Sequence, residues 1–508
     1  MLAKTYSFGL MGIEAYPVEI EVDVSHGLPA VTLVGMADTA IRESRERVKS
    51  AIKNSGFNWP QERVTISLAP SDTKKEGASF DLPIALGVLA ATEQLDKEKL
   101  KDYCILGELS LDGSLRPCHG ILSISLAMGR TKIKNIILPF HNAREAGIVS
   151  QNFVWPMQSL KETVQFLHDP QMTKPFTVDL ENLFKESAMY PVDFSEVKGQ
   201  YLAKRALEVA VAGGHNIAMI GPPGSGKTML AKRIPSIMPE LTLGEALEVT
   251  KVHSVMGTLA NKFGLSGVRP FRAPHHSISD VALIGGGSMP QPGEISLAHR
   301  GVLFLDELPE FHRDCLEALR QPLEDEYIRV SRIFRSFTFP ASFMLVAAMN
   351  PCPCGYYTDP KKACRCHPNK IAKYMGKISG PLLDRIDIHI EIPAIKYKEL
   401  TDTKDAESSA VIKERVENAR ALQRVRFKED KIFYNAQMNT RLIKKYCSLN
   451  DEAKELLKMA MNELGLSARA YDKILKVSRT IADLAKADMI LAEHISEAIQ
   501  YRSLDRQW

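Results

Sequence analysis

Hydrophobic and polar positions follow two different periods along the chain, and these periods separate it into three sections. In the first section, strict alternation in YPVEIEVDV and AVTLVG predicts β-strands. The amphipathic stretch ADTAIRESRERVKSAIKNSG predicts a helix that ends at Gly56, and the apolar stretch FDLPIALGVLAATEQL predicts a second helix. This mixture of strands and helices indicates an α+β domain over residues 1–168.

The other two sections differ from the first and from each other. Short apolar strands that end in polar residues predict an α/β core over residues 192–395. A helical period in AVIKERVENARALQRVRF, DEAKELLKMAMNELG and SARAYDKILKVSRTIADLAKA predicts a helical domain over residues 396–508. The polar, proline-containing residues 169–191 predict a linker. The expected fold is therefore multidomain, with α+β, α/β and helical parts.

The composition narrows the class of protein. The 508 residues are 45% hydrophobic and 25% charged, which is typical of soluble globular proteins. The net charge of +4 is too small to indicate nucleic-acid binding without a local basic patch. With no apolar run of about 18 residues and no signal-peptide pattern at the start, we expect a cytoplasmic protein without membrane segments. The eight cysteines are too few to indicate a secreted disulfide framework.

The most specific motif follows the apolar strand IAMI. The next eight residues, GPPGSGKT, form the P-loop pattern, and a helical pattern comes directly after them. We expect the loop's backbone N–H groups to surround the phosphates of ATP, with Lys227 at the β- and γ-phosphates and Thr228 on Mg²⁺. The expected nucleotide-binding residues are Gly221, Pro222, Pro223, Gly224, Ser225, Gly226, Lys227 and Thr228.

Two later apolar strands are expected to bring catalytic groups to the same edge of the sheet. In GVLFLDELPEF the strand ends at Asp306, predicted to bind Mg²⁺, and Glu307, predicted to orient the attacking water. In FMLVAAMNP the strand ends at Asn350, whose amide is suited to positioning that water. The alternatives are an ordinary strand end for the two acids and a turn-forming Asn-Pro pair for Asn350.

Arg385 stands between two aspartates in GPLLDRIDIHIEIP, just before the last predicted core strand. A guanidinium at this place is suited to act as an arginine finger on the γ-phosphate bound by a neighbouring subunit. The alternative is a local salt bridge with Asp384 or Asp387.

The motifs GPPGSGKT, LFLDE, AAMNP and LLDRIDIHIEIP, in this order, resemble the AAA+ ATPases and specifically their magnesium-chelatase-subunit-like branch. Over nearly the whole chain, and above all in VGMADTAIRESRERVKSAIKNSGF and FRAPHHSISDVALIGGG, the sequence resembles the ComM (YifB) family of bacteria. That family is described as hexameric helicases that promote DNA branch migration during natural transformation.

The resemblance implies a domain plan, cofactors and partners. The N-terminal domain is expected to have a Lon-protease-like (S5-type) fold, followed by an AAA+ P-loop core and a helical lid. ATP and Mg²⁺ are the implied cofactors. The implied partners are single-stranded and branched DNA, further copies of the chain in a homohexamer, and a recombinase. Arg385 corresponds to the family's arginine finger, and Arg469 in LSARAYDKIL to the lid's sensor arginine. The alternative for Arg469 is a solvated helix residue.

Two segments of the core are expected to face the central pore, as in related ring ATPases. One is the glycine-rich insert IGGGSMPQPGE, and the other is YIRVSRIFRSFTFPASF, which predicts a β-hairpin. Basic side chains interleaved with Phe334, Phe337 and Phe339 suit a phosphate track with base stacking, and the alternative is a solvated basic face with core aromatics. The candidate DNA-contacting residues are Arg329, Arg332 and Arg335.

Four cysteines crowd into two Cys-x-Cys pairs between Asn350 and Arg385. Four thiolates with turn-forming Pro and Gly between them predict a closed, structural Zn²⁺ site, in which His367 is an alternative to one cysteine. The other interpretation is four reduced thiols without metal, and a disulfide pair is disfavoured in a reducing cytoplasm. The candidate zinc ligands are Cys352, Cys354, Cys364 and Cys366, whereas Cys104, Cys118, Cys315 and Cys447 are expected in ordinary core positions.

The segment KKEGASFDLPIALGVLA resembles the nucleophile region of Lon-type proteases and places Ser79 at the catalytic serine. A Ser–Lys dyad needs a lysine beside that hydroxyl, and none occurs in the later segment around Leu122 where the family's lysine should fall. Lys74 and Lys75 are interpreted as residues of an exposed loop. We therefore expect a structural or partner-binding domain and not a protease.

The adjacent histidines His275 and His276 in FRAPHHSIS suggest a metal site at first sight. Neighbouring residues point in different directions on a strand or helix, so a shared metal is not expected. A contact with DNA or with a neighbouring subunit is the preferred interpretation.

Together these features predict an ATP-driven DNA motor that promotes branch migration in homologous recombination and natural transformation. The alternative is a MoxR-like or chelatase-like AAA+ ATPase that remodels a protein partner. The basic hairpin favours DNA over a protein partner.

Overall fold

A computed structural model describes the chain except for residues 37, 74, 76, 188–189, 260–263, 288–289, 332–335, 358, 360–361, 395–405 and 503–508. The chain forms two units. One comprises Met1–Ala188 with Ala246–Gly267, and the other comprises Met189–Glu245 with Val268–Trp508.

The first unit contains a seven-stranded mixed sheet, in which the strand alternation buries Val18, Ile20 and Val22 on one face. Counted along the chain, the strands lie in the order 3-4-2-1-5-6-7 across the sheet. Strand 2 is antiparallel to its neighbours 1 and 4, and the other pairs are parallel. The strands are Leu2–Met11, Glu14–Ser25, Ala30–Val34, Arg63–Ala69, Tyr103–Ile105, Asn135–Pro139 and Phe153–Met157.

Two predicted helices of this unit are present. The apolar helix Asp81–Ala91 is buried along its whole length against the sheet. The amphipathic helix Thr39–Asn54 is capped by the Asp38 carboxylate, which accepts a hydrogen bond from the Ile41 N–H. Further helices are Ile121–Met128, Ala143–Gly147, Leu160–His168 and Leu180–Ser187, and the helix Leu243–Val255 contains residues of both units.

The interpretation of Lys75 as an exposed loop residue is wrong. Its backbone N–H donates to the Met36 carbonyl and its carbonyl accepts from the Asp38 N–H, which turns the side chain inward. Lys75 is fully buried, its Nζ has no hydrogen-bond partner among the described residues, and burial lowers its pKa. The Nζ atom therefore makes no hydrogen bond to Ser79. Lys74 lies outside the described residues.

The second unit is built around a five-stranded parallel sheet with helices around it. The P-loop strand Ile217–Ile220 lies between the strands Met344–Met349 and Ile388–Glu391. Its side chains alternate between two buried clusters, which explains a continuous apolar run. Across the sheet the strands are Phe271–Arg272, Val302–Leu305, Met344–Met349, Ile217–Ile220 and Ile388–Glu391.

Helices of the core connect these strands. Their residue ranges are Tyr201–Gly213, Lys227–Ile237, Asp280–Ile284, Glu294–Leu297, Arg313–Ala318, Arg320–Asp325, Pro368–Met375 and Gly380–Leu383. The glycine-rich insert forms a short antiparallel pair between Gly285–Gly286 and Gln291–Pro292. The predicted hairpin is present, with Tyr327–Ser331 antiparallel to Ser336–Pro340.

The last part of the chain is helical, as its period predicts. Its helices share one hydrophobic cluster with the core sheet, because Ile217 and Met219 of the P-loop strand belong to the same cluster as Ile412 and Ile474. The helices are Ser409–Arg426, Thr440–Tyr446, Asp451–Glu463, Ala468–Leu484 and Ala492–Gln500. Within the described part of the chain, no helix combines the length and apolar character that a membrane span needs.

Candidate functional site

The P-loop connects a buried strand to the helix Lys227–Ile237. Gly221 begins the loop, and a Cβ atom at this position would lie 2.2 Å from the carbonyl oxygen of Ile392, so only glycine fits. The Gly221 N–H donates to the Met349 carbonyl at 3.2 Å, which fixes the loop to the neighbouring strand. The helix then begins at Lys227, and its N-terminal N–H groups form an anion-binding end beside the loop.

The Lys227 ammonium lies inside this loop. Its Nζ donates to the carbonyl oxygens of Gly221 and Pro222 at 2.7 and 3.0 Å, and it lies 3.3 Å from the Asn350 side-chain oxygen. Burial lowers the pKa of Lys227, while the charges of Asp306 and Glu307 act in the opposite direction. The structure thus brings together the lysine and the strand-end asparagine that the sequence predicts.

Thr228 and Asp306 also meet, although they are 78 positions apart. The Thr228 hydroxyl donates to the Asp306 carboxylate at 2.8 Å. A hydroxyl and a carboxylate at this distance are ligands that Mg²⁺ accepts at P-loops, so the donor set fits the ion that the sequence predicts. The Glu307 backbone N–H donates to the other Asp306 oxygen at 3.0 Å, and this hydrogen bond fixes the orientation of the Asp306 carboxylate.

Glu307 has a partner that the sequence analysis placed elsewhere. The Nδ1 atom of His276 lies 3.4 Å from a Glu307 carboxylate oxygen. The His275 ring packs on the His276 ring with 4.0 Å between their centroids, and the His275 Nδ1 lies 2.8 Å from the Ser277 hydroxyl. His276 therefore faces a proposed catalytic acid of its own chain.

Arg385 is paired, but not with the aspartates beside it. Its guanidinium donates to the Glu324 carboxylate and, at 2.6 Å, to the Pro381 carbonyl. The Asp384 carboxylate instead accepts from Arg469 at 2.8 Å. Arg469 is largely exposed, and the structure brings it to the residue beside Arg385. The local salt bridge that was the alternative for Arg385 is therefore formed with a different acid.

Asp387, the second neighbour of Arg385, belongs to a buried polar network. Its carboxylate lies 3.1 Å from His215 Nδ1 and 3.1 Å from Lys473 Nζ. Burial alone would raise the pKa of Asp387, but the charges of Lys473 and His215 hold it well below its ordinary value. His215 Nε2 lies 2.9 Å from the Thr480 hydroxyl, so the network connects the Arg385 segment to the helix Ala468–Leu484.

Gln200 is a residue of the site that the sequence analysis missed. Its side-chain amide donates to the Ser225 carbonyl in the P-loop at 3.3 Å and to the Pro393 carbonyl at 3.0 Å. It therefore joins the loop to the end of the last core strand. In the sequence, Gln200 is distinguished only by its position directly before an apolar helix, and a glutamine at that position does not indicate a role at the P-loop.

The four clustered cysteines converge. Their sulfur atoms all lie within 4.8 Å of one another. Cys352 is buried and the other three are half-buried. Hydrogen bonds from the backbone of Arg365 and Tyr356 lower the pKa of the Cys354 thiol to about 6. This is a donor set of four sulfurs, as the sequence predicts.

One of the three candidate DNA-contacting arginines lies within the described residues. Arg329 is exposed on the hairpin, with its guanidinium carbon 5.7 Å from the centre of the Tyr327 ring. Arg332, Phe334 and Arg335 lie outside the described residues. Phe339 is fully buried, so base stacking on this residue was a wrong expectation.

Three family models match the chain. The model for "Magnesium chelatase, subunit ChlI" matches residues 193–400, which include the candidate site residues from Gly221 to Arg385. The model for "Subunit ChlI of Mg-chelatase" matches residues 20–142, and the model for "Magnesium chelatase, subunit ChlI C-terminal" matches residues 406–502.

Relatives of known name are similar over nearly their full length. The chain is 46% identical to the Competence protein ComM of Haemophilus influenzae, over 99% of this chain and 98% of the relative. It is 43% identical to the YifB protein of Salmonella typhimurium, and 43% identical to that of Escherichia coli, with the same coverage in both pairs.

Proposed function

The chain belongs to the ComM/YifB family of magnesium-chelatase-subunit-like AAA+ ATPases, and we propose that it is an ATP-driven, ring-shaped DNA motor. The motor would promote branch migration during homologous recombination and natural transformation. The observation that supports ATP-driven work most strongly is the meeting of Lys227, Thr228, Asp306 and Glu307 at one edge of the parallel sheet. The relative named Competence protein ComM supports the role in transformation.

The proposed hydrolysis assigns one task to each residue of the site. Lys227 neutralises charge on the β- and γ-phosphates, and Thr228 and Asp306 hold Mg²⁺, which supplies charge neutralisation when bound. Glu307 orients the attacking water and accepts its proton, and Asn350 positions the same water by a hydrogen bond. ATP and Mg²⁺ are thus the proposed catalytic cofactors, with a structural Zn²⁺ on the four clustered cysteines.

We assign Arg385 to the nucleotide of a neighbouring subunit in a homohexamer. Within its own chain the guanidinium contacts Glu324, and not Asp306, the acid that accepts from Thr228 of the P-loop. A finger that works between subunits requires head-to-tail contacts, and such contacts close into rings. Arg469, which is paired with Asp384 beside the finger, is the proposed lid sensor.

The hairpin Tyr327–Ser331 and Ser336–Pro340 is the proposed DNA-contacting element. Arg329 is exposed there, and the candidates Arg332 and Arg335 lie outside the described residues. Cationic side chains at a pore would bind the phosphates of single-stranded or branched DNA. A recombinase is the proposed partner that joins the DNA strands. The N-terminal unit is proposed to have a Lon-protease-like fold without proteolytic activity, and the cytoplasm is the proposed location.

The alternative is an AAA+ ATPase of the chelatase or MoxR type that remodels a protein partner. It is favoured by the three family models, all of which are named for magnesium chelatase. The two functions differ in what stimulates ATP hydrolysis.

We would test this difference by measuring ATP turnover of the full chain with single-stranded, duplex and forked DNA. A DNA motor should hydrolyse ATP faster with DNA, and forked or single-stranded DNA should stimulate it more than duplex DNA. Turnover that is the same with every form of DNA would contradict the proposal and favour the protein-remodelling alternative. Glu307→Gln measures the hydrolysis that does not come from this site.

A further inference from the structure

The four cysteine sulfurs have the spacing of a tetrahedral metal site. Sulfur–sulfur distances are 3.3 Å between Cys352 and Cys354, 3.7 Å between Cys352 and Cys364, and 3.6 Å between Cys354 and Cys364. Four thiolates bound to one Zn²⁺ at about 2.3 Å stand about 3.8 Å apart, so the observed cluster is close to the bound geometry. Cys366 completes the set. Four protein ligands leave no position for water, so this ion would be structural.

The backbone around the cluster is arranged to hold it. The Gly355 N–H donates to the Cys352 carbonyl at 2.9 Å, which closes the turn that carries the first pair of cysteines. The Cys366 N–H points at the Cys364 sulfur, 3.4 Å away. Backbone N–H groups that point at ligand sulfurs stabilise thiolates and fix their orientation.

The same loop packs on the P-loop. Gly355 has a φ of +83°, and a Cβ atom at this position would lie 2.5 Å from Cδ and 2.7 Å from Cγ of Pro223. The backbone of the first Cys-x-Cys turn therefore rests directly on a proline of the phosphate-binding loop. Just before that turn, Asn350 contacts Lys227 at 3.3 Å, so residues 350–355 meet the P-loop at two points.

The far end of the cysteine loop returns to the same place. After the second pair of cysteines, the helix Pro368–Met375 carries the buried Tyr374, which makes a hydrogen bond with the backbone of Asn350. The loop therefore leaves the sheet edge at Asn350 and comes back to it at Tyr374. A cross-link between its two cysteine pairs would fix the part that touches Pro223.

We propose that Zn²⁺ bound by Cys352, Cys354, Cys364 and Cys366 braces the P-loop through the Gly355–Pro223 contact, so that zinc loading sets the affinity for nucleotide. This inference goes beyond DNA motion and rests only on the proposed ATP-binding part of the function. Zinc binding energy is available to order the loop, because one ion would join the two cysteine pairs and the free energy of binding a structural metal adds to the stability of the folded segment. The coupling is reciprocal, so bound nucleotide should raise the affinity for zinc by the same factor.

The first experiment uses the full-length wild-type chain. Zinc content is measured by elemental analysis, and a fluorescent ADP analogue is titrated before and after removal of zinc with a zinc-selective chelator. We expect one zinc per chain, a dissociation constant for the analogue that rises about 5- to 150-fold on removal, and recovery when Zn²⁺ is added back. A chain purified without zinc that also fails to bind added Zn²⁺, or an unchanged dissociation constant, would overturn the proposal.

Variants distinguish the effect of zinc binding from the effect of the Gly355–Pro223 contact. Cys364→Ser should lose zinc and bind the analogue weakly, whereas Cys118→Ser, outside the cluster, should behave like the wild type. Gly355→Ala should keep zinc but bind the analogue more weakly, because its new Cβ pushes against Pro223. If Cys364→Ser does not fold, the proposal is tested by Gly355→Ala and by the reversible removal of zinc from the wild type. A Gly355→Ala chain with wild-type affinity would refute the brace.

These outcomes are distinct from a failure of the proposed motor. The assay contains no DNA, so a chain that moves no branch point can still show zinc-dependent nucleotide binding. A zinc-loaded wild type that binds no nucleotide would refute both the ATPase proposal and the brace.

Discussion

The Nδ1 atom of His276 lies 3.4 Å from a carboxylate oxygen of Glu307, the residue proposed to orient the attacking water. His276 in turn packs edge-on against Phe311, and its ring centre lies 4.0 Å from that of His275 with the two ring planes tilted by 34°. This packing limits the rotation of the imidazole, and a fixed imidazole restricts where the Glu307 carboxylate can lie. His276 therefore acts as a positioning residue in this account.

We expect His276→Ala to lower kcat for ATP about 100-fold, because a misplaced catalytic carboxylate costs about that factor. KM for ATP should change little, since among the described residues His276 contacts Glu307, His275 and Phe311 and not the P-loop. The matched control is His26→Ala, which removes an exposed imidazole that pairs with Glu62 in the N-terminal part of the chain. Steady-state kinetics of both variants test the prediction, and equal kcat values for His276→Ala and the wild type would contradict it.

Arg385→Ala is expected to reduce ATP turnover about 1000-fold while ATP binding is retained, because an arginine finger stabilises charge in the transition state. Mixing this variant with Glu307→Gln should restore part of the turnover. In the mixed ring, a subunit with an intact site receives the finger of its Glu307→Gln neighbour. Arg320→Ala, which removes only a surface pair with Glu317, is the control. A mixture without any recovered activity would exclude action between subunits.

Arg329→Ala should weaken binding to all DNA sequences to a similar extent, because a phosphate contact carries no sequence information. The slope of log affinity against log salt concentration should fall by about 1, the value for one lost phosphate contact. Lys454, an exposed residue of the helix Asp451–Glu463 that pairs with Asp451, offers the control variant Lys454→Ala. Fluorescence anisotropy at several salt concentrations measures the slope. An unchanged slope would show that Arg329 makes no contact with a DNA phosphate.

Asp387→Asn should destabilise the chain by about 3 kcal/mol at neutral pH, because it leaves Lys473, whose side chain is only 13% exposed, without its carboxylate partner. The pKa of Asp387 is depressed in the folded state, so its stabilising contribution is present above its ordinary pKa and is lost as the pH falls below it. The difference in unfolding free energy between variant and wild type should therefore shrink from pH 7 towards pH 3. Denaturant unfolding of both proteins at pH 7 and pH 3 measures this difference in unfolding free energy. The same difference at both pH values would contradict the prediction.

Local patterns were enough to predict most elements of the fold. The strand before Gly221, the strand before Asp306 and the hairpin that carries Arg329 all have short-range signals, namely apolar runs or alternation with turn residues. The convergence of the four cysteines was also predictable, because their spacing already limits how far apart the thiols can be.

Long-range partners were not predictable in this way. Glu324 pairs with Arg385 across 61 positions, and nothing in its neighbourhood distinguishes it from other surface acids. His276 was considered, but its contact with Glu307 depends on the turn that follows a two-residue strand. Lys75 is buried because its backbone forms hydrogen bonds with Met36 and Asp38. The charged, glycine-containing sequence around Lys75 gives no sign of these bonds.

The most direct test of the central claim is movement of a DNA branch point by the purified chain. A labelled three-strand junction is incubated with wild type and with Glu307→Gln, which should bind ATP without hydrolysing it. This account predicts ATP-dependent strand exchange by the wild type and none by the variant. Strand exchange that persists in Glu307→Gln, or a wild type that hydrolyses ATP without moving the junction, would contradict it.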